Sequence, residues 1–161
     1  MAITDAELDR IKKELERLQE NCLYSAQGYF EAAKSSELWG RLMVFIPACV
    51  TATAGFFTAV GGGRSFGAFS AVGGAVAATA SFLGSSKKST DFLASAHSYT
   101  ALRNKLHLEI NLLSSESDYS AMEVKVREFN TEYVRISTTD VPMPNRFFEK
   151  ARARIRGNLV E

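Results

Sequence analysis

The residue types that usually carry chemistry are few in this chain and badly placed for it. His97 and His107 are its two histidines; ten positions apart on one helix, they face different sides. Cys22 and Cys49, the only cysteines, are far apart and in no ligand spacing, which argues against a disulfide framework or a zinc site. "GGGRSFG" (Gly61 to Gly67) has glycines but lacks the Lys-Ser/Thr of a phosphate loop, and it joins apolar segments rather than following a strand. No nucleophile elbow appears. Asp and Glu are scattered over polar helix faces, and none falls in the apolar middle, where a proton-coupled transporter would need one. The expectation is a protein that is not an enzyme, with no catalytic residues, no metal site and no cofactor.

The elements that carry these residues read as helices throughout. Thr4-Asp5-Ala6-Glu7 is a capping-box pattern for a helix start. Leu8, Ile11, Leu15, Leu18 and Cys22 follow at steps of three and four, with Lys, Glu, Arg and Gln on the other faces. Ala26, Tyr29 and Ala33 continue the stripe after a small phase slip, predicting one long helix to roughly Ser35. Such a seam needs a partner, either another helix of this chain or the same helix of a second subunit. No signal peptide is read, because the first 40 residues are charged and the apolar run starts late.

The middle of the chain changes character. Residues 42–63 carry no charge, and neither do residues 65–86. Each stretch of 22 residues would reach about 33 Å as a helix, against a hydrocarbon core of about 30 Å. Gly61-Gly62-Gly63 and Arg64 between them suit a tight turn, with Arg64 at the far headgroups. The alternative is a buried hairpin in a soluble helical protein. Matching bilayer lengths and cationic borders favour the membrane, since globular helices usually run three or four turns. Arg41 precedes the first stretch and Lys87-Lys88 follow the second, so the positive-inside rule sets both termini in the cytoplasm.

Within the second stretch Gly67, Ser70, Gly74, Ala77, Ser81 and Gly84 line one side, and Thr51, Gly55 and Thr58 share a face of the first. In lipid, small residues let helices approach closely. These residues therefore serve either packing of one crossing on the other or lining of a polar path in an oligomer.

Beyond Lys88, Phe92, Ala96, Tyr99, Leu102 and Leu106 recur at helical spacing, and a Ser-rich break, "SSESD", follows. Ser120 to Glu123 reads as a second capping box, with Met122, Val126, Phe129, Tyr133 and Ile136 behind it. "TTDVPMP" is a turn, and a short basic helix, "NRFFEKARARIRG", closes the chain. That helix suits either an anionic lipid surface or plain solvation. The overall reading is an all-α membrane protein: an N-terminal cytoplasmic helix (1–41), a first crossing (42–63), a turn and second crossing (64–86), and a cytoplasmic helical region (87–161). Net charge is +1 and mean hydropathy −0.07, so no strong field points to nucleic acid.

The stretch "LERLQENCLYSAQGYFEAAKSSELWGRLMVFIPACVTATAGFF", with its "LYSAQGYFEAA" and "IPA" motifs, the glycine turn and the "PNRFFEKARARIRG" tail, resembles the SLATT family. That family is the SMODS and SLOG-associating two-transmembrane effector domain, and the likeness covers roughly residues 8 to 157. The resemblance implies a pore-forming or membrane-perturbing effector of prokaryotic anti-phage conflict systems, at the inner membrane. A separate nucleotide second-messenger synthase or sensor would activate it. Two crossings cannot enclose a channel, so a homo-oligomer is expected. Its candidate lining or packing residues are Thr51, Gly55, Thr58, Gly67, Ser70, Gly74 and Ser81. Its candidate subunit seam is Leu8, Ile11, Leu15, Leu18, Cys22, Phe92, Tyr99 and Leu106. A non-conducting membrane anchor that presents its helices to a partner is the alternative.

Overall fold

The computed structural model describes residues 4–61, 64–82, 85–113 and 118–158. They form helices α1 (Asp5–Ala59), α2 (Arg64–Phe82), α3 (Ser85–Leu112), α4 (Tyr119–Thr139) and α5 (Asn145–Asn158), with no strand among the described residues. The all-α expectation holds. The chain divides into two compact units, one built from residues 1–32 and 91–161 and the other from residues 33–90.

Helix α1 starts with one half of its expected capping box. The Thr4 backbone N–H donates to Glu7 Oε2 at 3.0 Å, while the Glu7 N–H donates to the Thr4 carbonyl O at 2.9 Å rather than to its hydroxyl. This hydrogen bonding holds the Glu7 carboxyl below its ordinary range. The helix does not stop near Ser35 but runs 55 residues to Ala59. The sequence there, "KSSELWGRLMVF", contains no proline, and its one glycine is tolerated in a helix whose neighbours propagate. Pro47 sits inside α1 without ending it. The helix ends instead where Gly61 takes a φ of +97°, a left-handed geometry that glycine adopts without steric cost. Gly62 and Gly63 lie outside the described residues.

In the first unit the apolar stripe of α1 meets α3. Contacts pair Gln19 with His107, Tyr29 with Tyr99 and Phe30 with His97, so numbers rise on one helix as they fall on the other and the two run antiparallel. Helix α4 runs antiparallel to α3 in turn, through Lys125–Glu109 at 2.8 Å and Lys105–Glu132 at 3.0 Å. Ile11, Leu15, Leu18, Cys22, Phe92, Tyr99 and Leu106 are buried in this bundle, and Leu8 is half-buried. Of the two partners the sequence left open for this stripe, the described residues show the one within the chain. The stripe's partner is another helix of the same chain, and each buried leucine contributes about 1.5–3 kcal/mol there without a second copy.

The second expected capping box is not used. Helix α4 begins at Tyr119 behind Asp118, so Ser120 already lies inside it, and Glu123 pairs with Arg127 at 2.7 Å. Ser114 to Ser117 of the Ser-rich break lie outside the described residues. The "TTDVPMP" turn forms as expected. The Asp140 N–H closes α4 on Ile136 O at 3.1 Å, and the Phe147 N–H opens α5 on Pro144 O at 3.0 Å.

Candidate membrane segment and buried polar clusters

The second unit consists of the later part of α1, α2 and the first turn and a half of α3. Thr58 lies against Gly67, Gly55 against Ser70, and Thr51 against Gly73 and Gly74, which makes α1 and α2 an antiparallel hairpin. A Cβ at Gly55 would come 3.7 Å from Ser70 Oγ, one at Gly67 3.9 Å from Thr58 Cγ2, and one at Gly74 4.0 Å from Thr51 Cγ2. The tightest approach is at Gly73, absent from the sequence-derived set. A Cβ there would overlap Thr51 Oγ1 and come 3.2 Å from Pro47 O.

The hydroxyls are consumed locally. Thr51 Oγ1 donates to Pro47 O at 2.9 Å, Thr53 to Cys49 O at 2.5 Å, Thr58 to Ala54 O at 2.8 Å, and Thr79 to Ala75 O at 2.8 Å. Ser70 Oγ reaches across to Thr51 O at 3.4 Å. Six of the seven candidate lining or packing residues thus meet at the α1–α2 contact within one hairpin. The side chain of Ser81, the seventh, lies outside the described ones.

The bulky apolar side chains are turned the other way. Trp39, Met43, Phe45, Ile46 and Phe56 on α1, and Phe69 and Val72 on α2, are all more than half exposed. The apolar stretch of α1 has a mean hydropathy of 1.8 with only 6% of it buried, and it is the only segment among the described residues long and apolar enough to span a bilayer. The comparable run in α2, Gly67–Val76, is shorter than a span. Among the described residues one helix of spanning length and composition is found where two were expected.

The first unit holds two buried polar clusters. Glu31, only 4% exposed, receives Lys150 Nζ at 2.8 Å and the Arg154 guanidinium. Lys150 and Arg154, four apart, share a face of α5. Helix α5 reaches α1 because Gly28 leaves room: a Cβ there would stand 2.7 Å from Met143 Cε and 3.8 Å from Phe148 Cα. Phe148 also faces Tyr24, with ring centroids 6.3 Å apart. The "LYSAQGYFEAA" and "PNRFFEKARARIRG" motifs are therefore the two sides of one contact.

The other cluster gathers Tyr29, Tyr99, Tyr133 and Asp140. Tyr29 stacks on Tyr99 at 5.8 Å, Tyr99 meets Tyr133 at 5.9 Å, and the Tyr29 hydroxyl donates to Val141 O at 3.1 Å. Burial, then the Asp140 carboxylate, push Tyr29 up to about 12, and the same causes raise Tyr99 further. Asp140 Oδ2 is buried without a hydrogen-bond partner among the described residues. Burial also pushes the Cys22 thiol up to about 12, leaving it neutral and unreactive at pH 7. His97 lies edge-on to Phe30 at 5.6 Å, and His107 bonds Gln19 and Asn111. No group of His, Cys, Asp or Glu positioned to hold a metal occurs among the described residues.

Sequence reasoning missed Glu31, Gly28, Gly73 and Trp39. The i, i+4 spacing of Lys150 and Arg154 was the one available sign that an acid must face them. No protein-family model matches the chain, and neither a curated protein nor a solved structure proved similar to it.

Proposed function

We propose that this chain is a membrane-embedded effector of the SLATT type, crossing the inner membrane as a hairpin of α1 and α2 with both termini in the cytoplasm. One observation carries the reading. Of the 17 large apolar side chains exposed among the described residues, 12 fall between Leu38 and Val76. In water such a concentration would be an aggregation site; in lipid it is the expected outer surface. The satisfied hydroxyls support the same reading, since hydrocarbon offers backbone and side chains no water to bond.

In this account the first unit is the cytoplasmic body that receives a signal from a separate nucleotide-synthase or sensor partner. Membrane perturbation would come from several copies acting together, because one hairpin encloses no path. Expression in cells carrying a potential-sensitive dye, with and without a companion synthase, tests it. Depolarisation on activation is expected; an unchanged potential in every condition would count against an effector role.

A second reading, a non-conducting anchor that presents the helical body to a partner, is favoured by one feature. Thr51, Gly55, Ser70 and Gly74 are engaged with each other at the contact between the two helices, so these four candidate lining residues serve packing within one hairpin. It predicts stable membrane attachment with no ion flux.

A further inference from the structure

Helix α5 carries Arg146, Lys150, Arg152, Arg154 and Arg156 against a single acid of its own, Glu149. Its apolar side is occupied: Phe147 and Ala151 are buried, and Phe148 faces Tyr24. All five cations are exposed. Glu31 is their only partner among the described ion pairs, and it takes Lys150 and Arg154. Arg146 and Arg152 lie 4.7 and 5.2 Å over the rings of Phe147 and Phe148, which shortens their reach without neutralising them. Five cations against Glu149 and Glu31 leave an uncompensated excess on a helix that is pinned in place rather than free to turn.

We infer that this outer face of α5 is a docking surface for anionic lipid headgroups. The inference rests on the membrane reading, which supplies the lipid surface. Guanidinium groups match phosphate oxygens bidentately, and cations beside an anionic leaflet each strengthen association about fivefold. The attraction decays within a Debye length, about 10 Å at 0.1 M salt. Because Phe147 and Ala151 stay buried in the bundle, the contact is electrostatic and peripheral, and salt should reverse it.

The test uses the full-length protein in nanodiscs of neutral phosphatidylcholine or of phosphatidylcholine mixed with phosphatidylglycerol. Thermal unfolding of the helical body is followed at low and high salt. Anionic discs should raise its midpoint, high salt should cancel the rise, and Arg146→Gln/Arg152→Gln/Arg156→Gln should lower the apparent lipid affinity about a hundredfold. These three arginines lie outside the Glu31 pair, and comparing the two lipids within each variant removes any change in baseline stability. Equal midpoints in both discs would overturn the inference, as would a triple variant that keeps the full rise. A rise reproduced in neutral discs by free pyrophosphate, or by RNA, would overturn it too by naming another ligand. A protein that stays in discs yet ignores headgroup charge sinks this inference alone, whereas recovery in detergent-free cytosol sinks the membrane reading beneath it.

Discussion

The hydroxyl of Thr51 occupies the space that a side chain at Gly73 would need, while itself bonded to Pro47 O at 2.9 Å. Three small features on two helices thus set the distance between α1 and α2. Gly73→Ala should force them apart and cost about 1–3 kcal/mol of hairpin stability. Adding Thr51→Ala should recover part of the loss, but not all, because Pro47 O stands 3.2 Å from the new methyl and belongs to the backbone. Unfolding of the four-member mutant cycle in detergent measures the coupling. A Gly73→Leu variant as stable as the parent would show that the helices do not pack this way.

The Glu31 cluster predicts an asymmetry. Glu31 is 4% exposed, whereas the Lys150 and Arg154 side chains are 63% and 51% exposed. Lys150→Gln/Arg154→Gln leaves a buried carboxylate without its two cations and should cost about 3 kcal/mol. Glu31→Gln leaves cations that reach water and should cost about 1 kcal/mol. Chemical denaturation gives both values; equal costs would mean that Glu31 is in practice solvated.

Alkaline pH should loosen the first unit. Tyr29 rises from 10.0 to about 12 and Cys22 from 9.0 to about 12, both chiefly through burial. The folded state therefore holds protons that the unfolded state has released, and stability falls as pH rises from about 9 to 12. Below pH 9 these groups contribute their full stabilisation. Tyr29→Phe should flatten the upper part of that slope and, by losing the bond to Val141 O, lower stability at neutral pH by about 1 kcal/mol. Melting curves from pH 7 to 11 test the sign, and stability that climbs through this window would refute it.

Leu15 and Leu106, 1% and 0% exposed, are buried within the core of one chain. Leu15→Ala or Leu106→Ala should cost about 2–5 kcal/mol, with an unfolding midpoint that does not depend on protein concentration. A midpoint that moves with concentration would restore these residues to a subunit contact.

The sequence displayed the periodicity of Leu8 to Cys22 and of Phe92 to Leu106, and those residues do line one stripe. It did not display which surface covers that stripe, because a heptad seam looks the same whether its partner is intramolecular or a second copy. Likewise the small residues of α1 and α2 were visible as a set, yet Gly73 rather than Gly74 makes the closest approach. A turn of helix separates those outcomes only once the two axes are placed. Glu31 carried no local mark: an acid between Phe30 and Ala32 reads as a solvated position until α5 folds over it. The length of α1 went unread because a change from charged to apolar residues alters the surroundings of a helix without breaking its hydrogen bonds.

Trp39, the chain's one tryptophan, is 58% exposed at the start of the apolar stretch, where aromatic side chains mark a bilayer boundary. Its fluorescence in vesicles whose lipids carry bromine at chosen acyl depths tests the central claim directly. The account predicts strong quenching, greatest for the shallowest bromines and blue-shifted from the emission of tryptophan in water. Water-like emission that no brominated lipid quenches would contradict it.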